Sequence, residues 1–266
     1  MTPTVPRFEE LAAPSHWRTV DFISDLHLQA TEPATVAAWQ SYLQTTPADA
    51  LFILGDLFEV WVGDDAIHEP GSFEAQACAA LQDAARRMDV FFMHGNRDFL
   101  AGDAFLRHCG ITGLADPTVL IFGGQRTVLS HGDLLCLQDV DYQRFRVQAR
   151  SAEWQERFLA QPLAVRRAQA RGIRQQSEAR KQSGIPYADV DDAAAIAWLN
   201  AAKAPTLIHG HTHRPASHAL APGQQRVVLS DWDATTEPPR TERLRLSMTG
   251  SSAPTLERLQ ATAPGA

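Results

Sequence analysis

Cysteine is scarce in this chain of 266 residues: Cys78, Cys109 and Cys136 are the whole supply, odd in number and without CxxC spacing. That excludes a disulfide framework and a cysteine zinc site, and it fits a reducing cytoplasm. Long apolar runs are missing as well. LFIL at 51–54 and VFFM at 90–93 are typical of those present, far short of the ~20 residues a membrane-spanning helix needs. The opening MTPTVPRFEELAAPSHW has neither the basic nor the apolar region of a signal peptide, so a cytoplasmic protein is expected. There is no basic surplus either. The net charge of −7 argues against nucleic-acid binding.

The charge that is there is uneven. Between Arg144 and Lys181 ten Lys/Arg face three Glu, so one basic island sits in an otherwise acidic chain. Apolar runs that read as buried strands each end at a polar residue: TVDFIS before Asp25, LFILG before Asp56, VFFMHG before Asn96, RTVLS before His131 and PTLIHG before His211. Helical spacing over 34–43 and 73–87 separates the early ones, the alternation of an α/β fold. Gly123-Gly124 and Pro222-Gly223 mark two hairpins. The basic stretch at about 139–186 reads as a helical cap inserted into an α/β domain of residues 1–246. A new helix is expected at about 191–202. The Ser/Thr/Ala/Pro-rich residues 247–266 read as a loose tail.

Ligands of open α/β sheets bind beyond the carboxyl ends of the strands. Those ends carry Asp25-Leu26-His27, Gly55-Asp56, Gly95-Asn96-Arg97-Asp98, His131-Gly132-Asp133 and Gly210-His211-Thr212-His213. Each fragment alone reads equally well as a turn or a helix cap. Together they bring imidazoles, carboxylates and an amide carbonyl to one edge. That mixture of nitrogen and oxygen donors without thiolate suits two divalent first-row metals. A carboxylate is the natural bridge, since its two oxygens can serve two cations. Without metal, such a concentration of polar groups would be costly.

D-x-H, G-D, G-N-x-D, H-G-D and G-H-x-H in this order resemble the calcineurin-like metallophosphoesterase family. The resemblance implies a two-sheet mixed β-sandwich flanked by helices, with a dinuclear site at the strand ends. Carried over, Asp25, His27, Asp56 and His213 would hold one metal. Asp56 would bridge to a second, held also by Asn96, His131 and His211. Two divalent ions, Mn2+ first among them, are the implied cofactors.

FISDLHL, LGDLFEVWVGDD, HGNRD, HGDLLC followed by Asp139, PLAVRR, and IHGHTHRP followed by RVVLSDW are similar to one branch of that family. The branch implies hydrolysis of the pyrophosphate bond of UDP-2,3-diacylglucosamine in lipid A biosynthesis, on the cytoplasmic face of the inner membrane. The expected products are UMP and 2,3-diacylglucosamine 1-phosphate (lipid X), from metal-activated water attacking the α-phosphorus. The cap would cover the acyl chains and meet the membrane surface. No obligate protein partner is implied. Asp139, Ser177 and Lys181 are candidate head-group contacts, and Asn96, Arg97 and His211 candidate contacts to the reacting phosphates. Asp133 is expected to orient His131. His94 and His209 are expected to pack beside the site.

Arg97 departs from the wider family, where His often follows the motif Asn and can protonate a leaving alkoxide. A pyrophosphate linkage expels a phosphate, already stable as an anion near neutral pH. It needs charge neutralisation, which the guanidinium fork provides. Arg97 therefore favours phosphoanhydride cleavage. A soluble nucleotide pyrophosphatase and a non-catalytic scaffold are the alternatives. The apolar and basic insertion argues against the first, and the complete ligand set against the second.

Overall fold

The computed structural model describes residues 5–182, 188–250 and 253–261, without the side chains of residues 175–182. In chain order the elements are β1 (Glu9–Ala12), β2 (Thr19–Ile23), α1 (Pro33–Thr45), β3 (Ala50–Leu54), α2 (Phe73–Ala85), β4 (Asp89–Met93), α3 (Asp103–Cys109), β5 (Thr112–Leu114), β6 (Thr118–Phe122) and β7 (Gln125–Ser130). Then come α4 (Val140–Ala149), α5 (Ala152–Leu159), α6 (Leu163–Gln182), α7 (Asp192–Ala202), β8 (Thr206–His209), β9 (Ala216–Ala221), β10 (Gln224–Val228), β11 (Glu242–Ser247) and β12 (Thr255–Gln260).

The strands form two six-stranded mixed sheets, ordered β1-β6-β7-β8-β10-β9 and β12-β11-β2-β3-β4-β5. In the second, β2, β3, β4 and β5 run parallel, the arrangement that buries both faces of a strand and makes it read as a continuous apolar run. Side chains alternate between two cores. Phe52 and Leu54 of β3 face the other sheet, where they meet Leu120, Leu129 and Ile208. Leu51 and Ile53 face outward onto Trp39 of α1 and Leu81 of α2. The inter-sheet core is aromatic, with Phe52 stacked on Phe91 at 4.8 Å and on Phe22 at 5.3 Å. On the far side α7 covers Val119, Val128 and Leu207. The result is the expected sandwich of two mixed sheets between helical layers.

Both expected hairpins are present, as the antiparallel pairs β6–β7 and β9–β10. The loose tail is corrected in part. Residues 255–260 form β12, antiparallel to β11, with Leu244 opposite Arg258 and Leu246 opposite Leu256.

The cap, α4 to α6, is fastened to the core by its own arginines. Arg146 donates to Asp133 at 2.8 Å and Arg150 to the Gly95 carbonyl at 2.8 Å. Arg166, only 2% exposed, donates to the Val62 carbonyl and to Asp65. A Cβ on Gly63 would run into the Arg166 guanidinium, and its φ of 133° is one glycine adopts readily. Arg167 pairs with Glu69 and Glu74. Much of the basic island thus points inward, and fewer of its cations face solvent than the charge count suggests.

Candidate metal centre

Strands β2, β3 and β4, parallel in one sheet, and β7 and β8, parallel in the other, are followed by the loops that carry the cluster. The loops are stitched to one another. Asp25 N–H donates to the Gly55 carbonyl (3.1 Å), His27 N–H to that of Asp56 (3.0 Å) and Gly210 N–H to that of His131 (2.9 Å). The buried Asp98 carboxylate accepts from Gly95 N–H and Leu57 N–H, both at 2.8 Å, and knots the Asp56 loop to the Asn96 loop. Its burial and the neighbouring Asp56 charge push its pKa up to about 7. A Cβ on Gly95 would collide with Asp56, so glycine is required where these loops touch.

Asp25, His27, Asp56, His211 and His213 all have positive φ, between 49° and 67°. For residues with a Cβ this conformation costs roughly 1–2 kcal/mol each. Apart from these five, only Lys203 among non-glycine residues has positive φ in the described chain. Strain of that kind clusters at functional sites because the surrounding structure over-determines it.

The side chains of all seven expected ligands converge. His213 Nε2 lies 3.3 Å from Asp25 Oδ1 and 3.2 Å from His27 Nε2. Asn96 Oδ1 sits between His131 Nε2 (3.1 Å) and His211 Nδ1 (2.9 Å), and His131 Nε2 is 3.8 Å from Asp56 Oδ1. Two groups have their donor atoms within 4.8 Å of one another: Asp25, His27, His213, and Asp25, Asp56, His131. Asp25 is common to both, whereas the family pattern makes Asp56 the shared carboxylate.

A divalent cation fits these donors. Asp25 is fully buried and its Oδ1 lacks a hydrogen bond; two Nε2 atoms, of His27 and His213, face each other with one pair of lone pairs to reconcile. The electrostatics call for positive charge. Burial disfavours a charged Asp25, but His213, His131 and His27 outweigh it and hold its carboxyl far below the usual range. Burial likewise opposes charge on His131, yet Asp56, Asp25 and Asp133 raise its pKa to about 9. His211, lowered to about 4 by burial and by His131, stays neutral. No thiolate competes, because all three cysteines are buried in the apolar cores.

His131 Nδ1 is held by the Leu54 carbonyl (2.9 Å), not by Asp133. Asp133 instead accepts from Tyr142 (2.5 Å) and Arg146, tying the cap to the end of β7. His94 and His209 do pack beside the site, each against a backbone carbonyl. Asp139 caps α4 through Tyr142 N–H and lines the cleft described next. The Ser177 and Lys181 side chains lie outside the described residues.

A cleft of about 660 Å³ runs from the cluster under the cap. Its lining combines His27, Asp56, Asn96, His211 and His213 of the cluster with the apolar Trp61, Phe99, Leu100, Phe145, Trp154 and Ile173, and with the acids Asp139, Asp141 and Asp189. Arg97 and Arg174 also line it. The Arg97 N–H donates to Asp56 Oδ1 (2.8 Å), and its side-chain Nε is buried without a partner. Glu59, which sequence reasoning passed over, lies beneath them. Its burial would raise its pKa, but His27, Arg97 and Arg174 hold it below the usual carboxylate range. The signal for it was a lone acid inside the apolar run LFEVWV.

The family model for calcineurin-like phosphoesterases matches residues 18–215. A UDP-2,3-diacylglucosamine hydrolase from Chromobacterium violaceum is 46% identical over 222 residues, covering 80% of this chain and 90% of its own. A protein of the same name from Ralstonia nicotianae is 46% identical over 240 residues, covering 85% and 88%. Among solved structures, Vps29 with zinc from Entamoeba histolytica has a TM-score of 0.45 at 16% identity, covering 92% of this chain and 99% of its own.

Proposed function

The chain belongs to the calcineurin-like phosphoesterase family, and we propose that it hydrolyses the pyrophosphate bond of UDP-2,3-diacylglucosamine to UMP and 2,3-diacylglucosamine 1-phosphate. The observation that carries this reading is the cleft itself, one cavity lined both by the ligand cluster and by apolar and aromatic side chains of the core and cap. A volume of about 660 Å³ is ordinary for a small-molecule site. Apolar walls of this extent match acyl chains. The relatives' shared name supports the same substrate.

Divalent metal binding follows from the family and from the donor set. We assign Asp25, His27, Asp56 and His213 to one ion and Asp56, Asn96, His131 and His211 to the other, with Mn2+ as the proposed metal. When bound, such ions supply Lewis-acid charge and lower the pKa of water, so that hydroxide is available at neutral pH. The protein's own groups do the rest. Asn96 and His211 face the cleft where a phosphoryl oxygen would lie, and neutral His211 can donate a hydrogen bond to it. The Arg97 guanidinium, with an unpartnered Nε, takes the charge that develops on the departing phosphate. Oxygen from water joins the α-phosphorus as the bridging P–O bond breaks, and the sugar phosphate leaves as an anion that needs no proton. The apolar walls keep the acyl chains, and with them the diphosphate, in register.

Among the described residues no helix is long and apolar enough to cross a membrane. The cap exposes Val140, Val147, Leu159 and Val165, with Val147 at 74%. Beside its outward arginines these suit shallow contact with an anionic membrane surface, so we place the enzyme there as a peripheral protein.

The test compares Mn2+-dependent turnover of micellar UDP-2,3-diacylglucosamine with that of UDP-N-acetylglucosamine. Strong preference for the lipid, lost without detergent, is expected. Equal turnover of the soluble nucleotide sugar would place the protein among soluble nucleotide pyrophosphatases.

A further inference from the structure

Glu59 lies three residues beyond Asp56 and is 5% exposed. A carboxylate that deep persists only with partners. Its three partners come from three separate parts of the chain. Oε2 lies 3.2 Å from His27 Nδ1, in the loop after β2. Oε1 lies 3.3 Å from an Arg97 Nη, in the loop after β4, and against Arg174 of the cap helix α6.

Each contact constrains something different. An imidazole that binds a cation through Nε2 must carry its proton on Nδ1, and the negative charge of a carboxylate 3.2 Å from Nδ1 favours that tautomer. The two guanidinium groups are like charges that would repel at close range. A carboxylate between them lets both stay beside the cluster.

We infer that Glu59 is a positioning residue that locks the His27 ring toward the cation site while holding Arg97 and Arg174 beside it, so that one buried carboxylate aligns the metal centre with the anion-binding arginines. The inference rests on the metal-dependent reading of the site. Glu59 lines the cleft, and the role inferred for it is exerted through His27 and the arginines.

The test is Mn2+ titration of metal-stripped full-length protein by calorimetry. Wild type takes up two equivalents. Glu59→Gln, with unchanged circular dichroism, should bind one of them 10–100-fold more weakly, the range for loss of a carboxylate that orients a metal-bound imidazole. A purely structural role would lower the melting temperature and leave both affinities alone. If Glu59→Gln does not fold, Glu59→Asp keeps the charge but is one methylene too short to reach both His27 and the arginines, and the same weakening is expected. Both equivalents bound as tightly as in wild type would overturn the inference while the metal site stands. If wild type takes up no Mn2+, the proposed function fails and the role of Glu59 falls with it.

Discussion

Replacing Arg97 by alanine isolates charge stabilisation from metal binding. The Arg97 side chain stands in the cleft 3.3 Å from Glu59, with Nε buried and unpartnered. Its main-chain N–H, which holds Asp56 Oδ1 at 2.8 Å, survives the substitution. The ligand cluster should therefore remain intact. What changes is the cleft lining, which loses one guanidinium beside Glu59 and the ligand cluster. Two unit charges about 4 Å apart interact by roughly 4 kcal/mol at an effective dielectric of about 20. Loss of one preorganised donor to developing negative charge costs about 2.7–4 kcal/mol in other enzymes, a factor of about 10²–10³ in rate. We expect kcat on the UDP-lipid to fall by that factor in Arg97→Ala, with metal content unchanged. Arg97→Lys should recover little, because a point charge does not reproduce the fork. Arg97→His, which restores the wider family's pattern, should shift preference toward activated phosphodiesters such as bis-(p-nitrophenyl) phosphate. The assay is turnover of both substrates by all three variants, with metal analysis as control. Wild-type turnover of the UDP-lipid by Arg97→Ala at full metal content would refute the reasoning.

Asp56→Ala should lose both metals and nearly all turnover while keeping its circular dichroism; metal analysis showing near-normal Mn2+ would refute the assignment of Asp56 as the bridge. Arg166→Ala leaves the Val62 carbonyl and one face of Asp65 without their donor. It should destabilise the cap by about 1–3 kcal/mol and expose residues 140–182 to limited proteolysis; an unchanged cleavage pattern would show that the cap is held elsewhere. His131, with its pKa raised to about 9, is protonated at neutral pH in metal-stripped protein and must lose that proton to ligate. Metal uptake near neutral pH should therefore release protons, and affinity should fall as pH falls. Calorimetry in buffers of different ionisation enthalpy reads this directly, and identical heats in all buffers would contradict it.

The ligand-bearing strand ends were legible because β2, β3 and β4 are buried on both faces and end abruptly at polar residues. Burial on both faces writes a continuous apolar run, and positive φ at the ligand positions needs no special residue type when the loops are cross-bonded. Strand β12 was hidden for the opposite reason. TLERLQ carries charge at its centre, and its partner β11 spends Arg245 on the buried Asp21 at 2.7 Å, so charges face inward and blur the alternation. The long-range partners were not legible either. Nothing local to Asp133 says that its carboxylate belongs to Tyr142 and Arg146 of the cap rather than to His131 two residues away. Glu59 was misread by omission, since a single acid in an apolar run acquires its meaning only from His27, Arg97 and Arg174, which the fold brings to it.

The central claim is that water attacks the α-phosphorus of a lipid-linked uridine diphosphate. Hydrolysis of UDP-2,3-diacylglucosamine by the Mn2+-loaded protein in ¹⁸O-labelled water, followed by mass analysis, tests it most directly. The label should appear in UMP, with the 2,3-diacylglucosamine 1-phosphate unlabelled. Label in the sugar phosphate would place the attack on the other phosphorus, and the absence of UMP altogether would contradict the account.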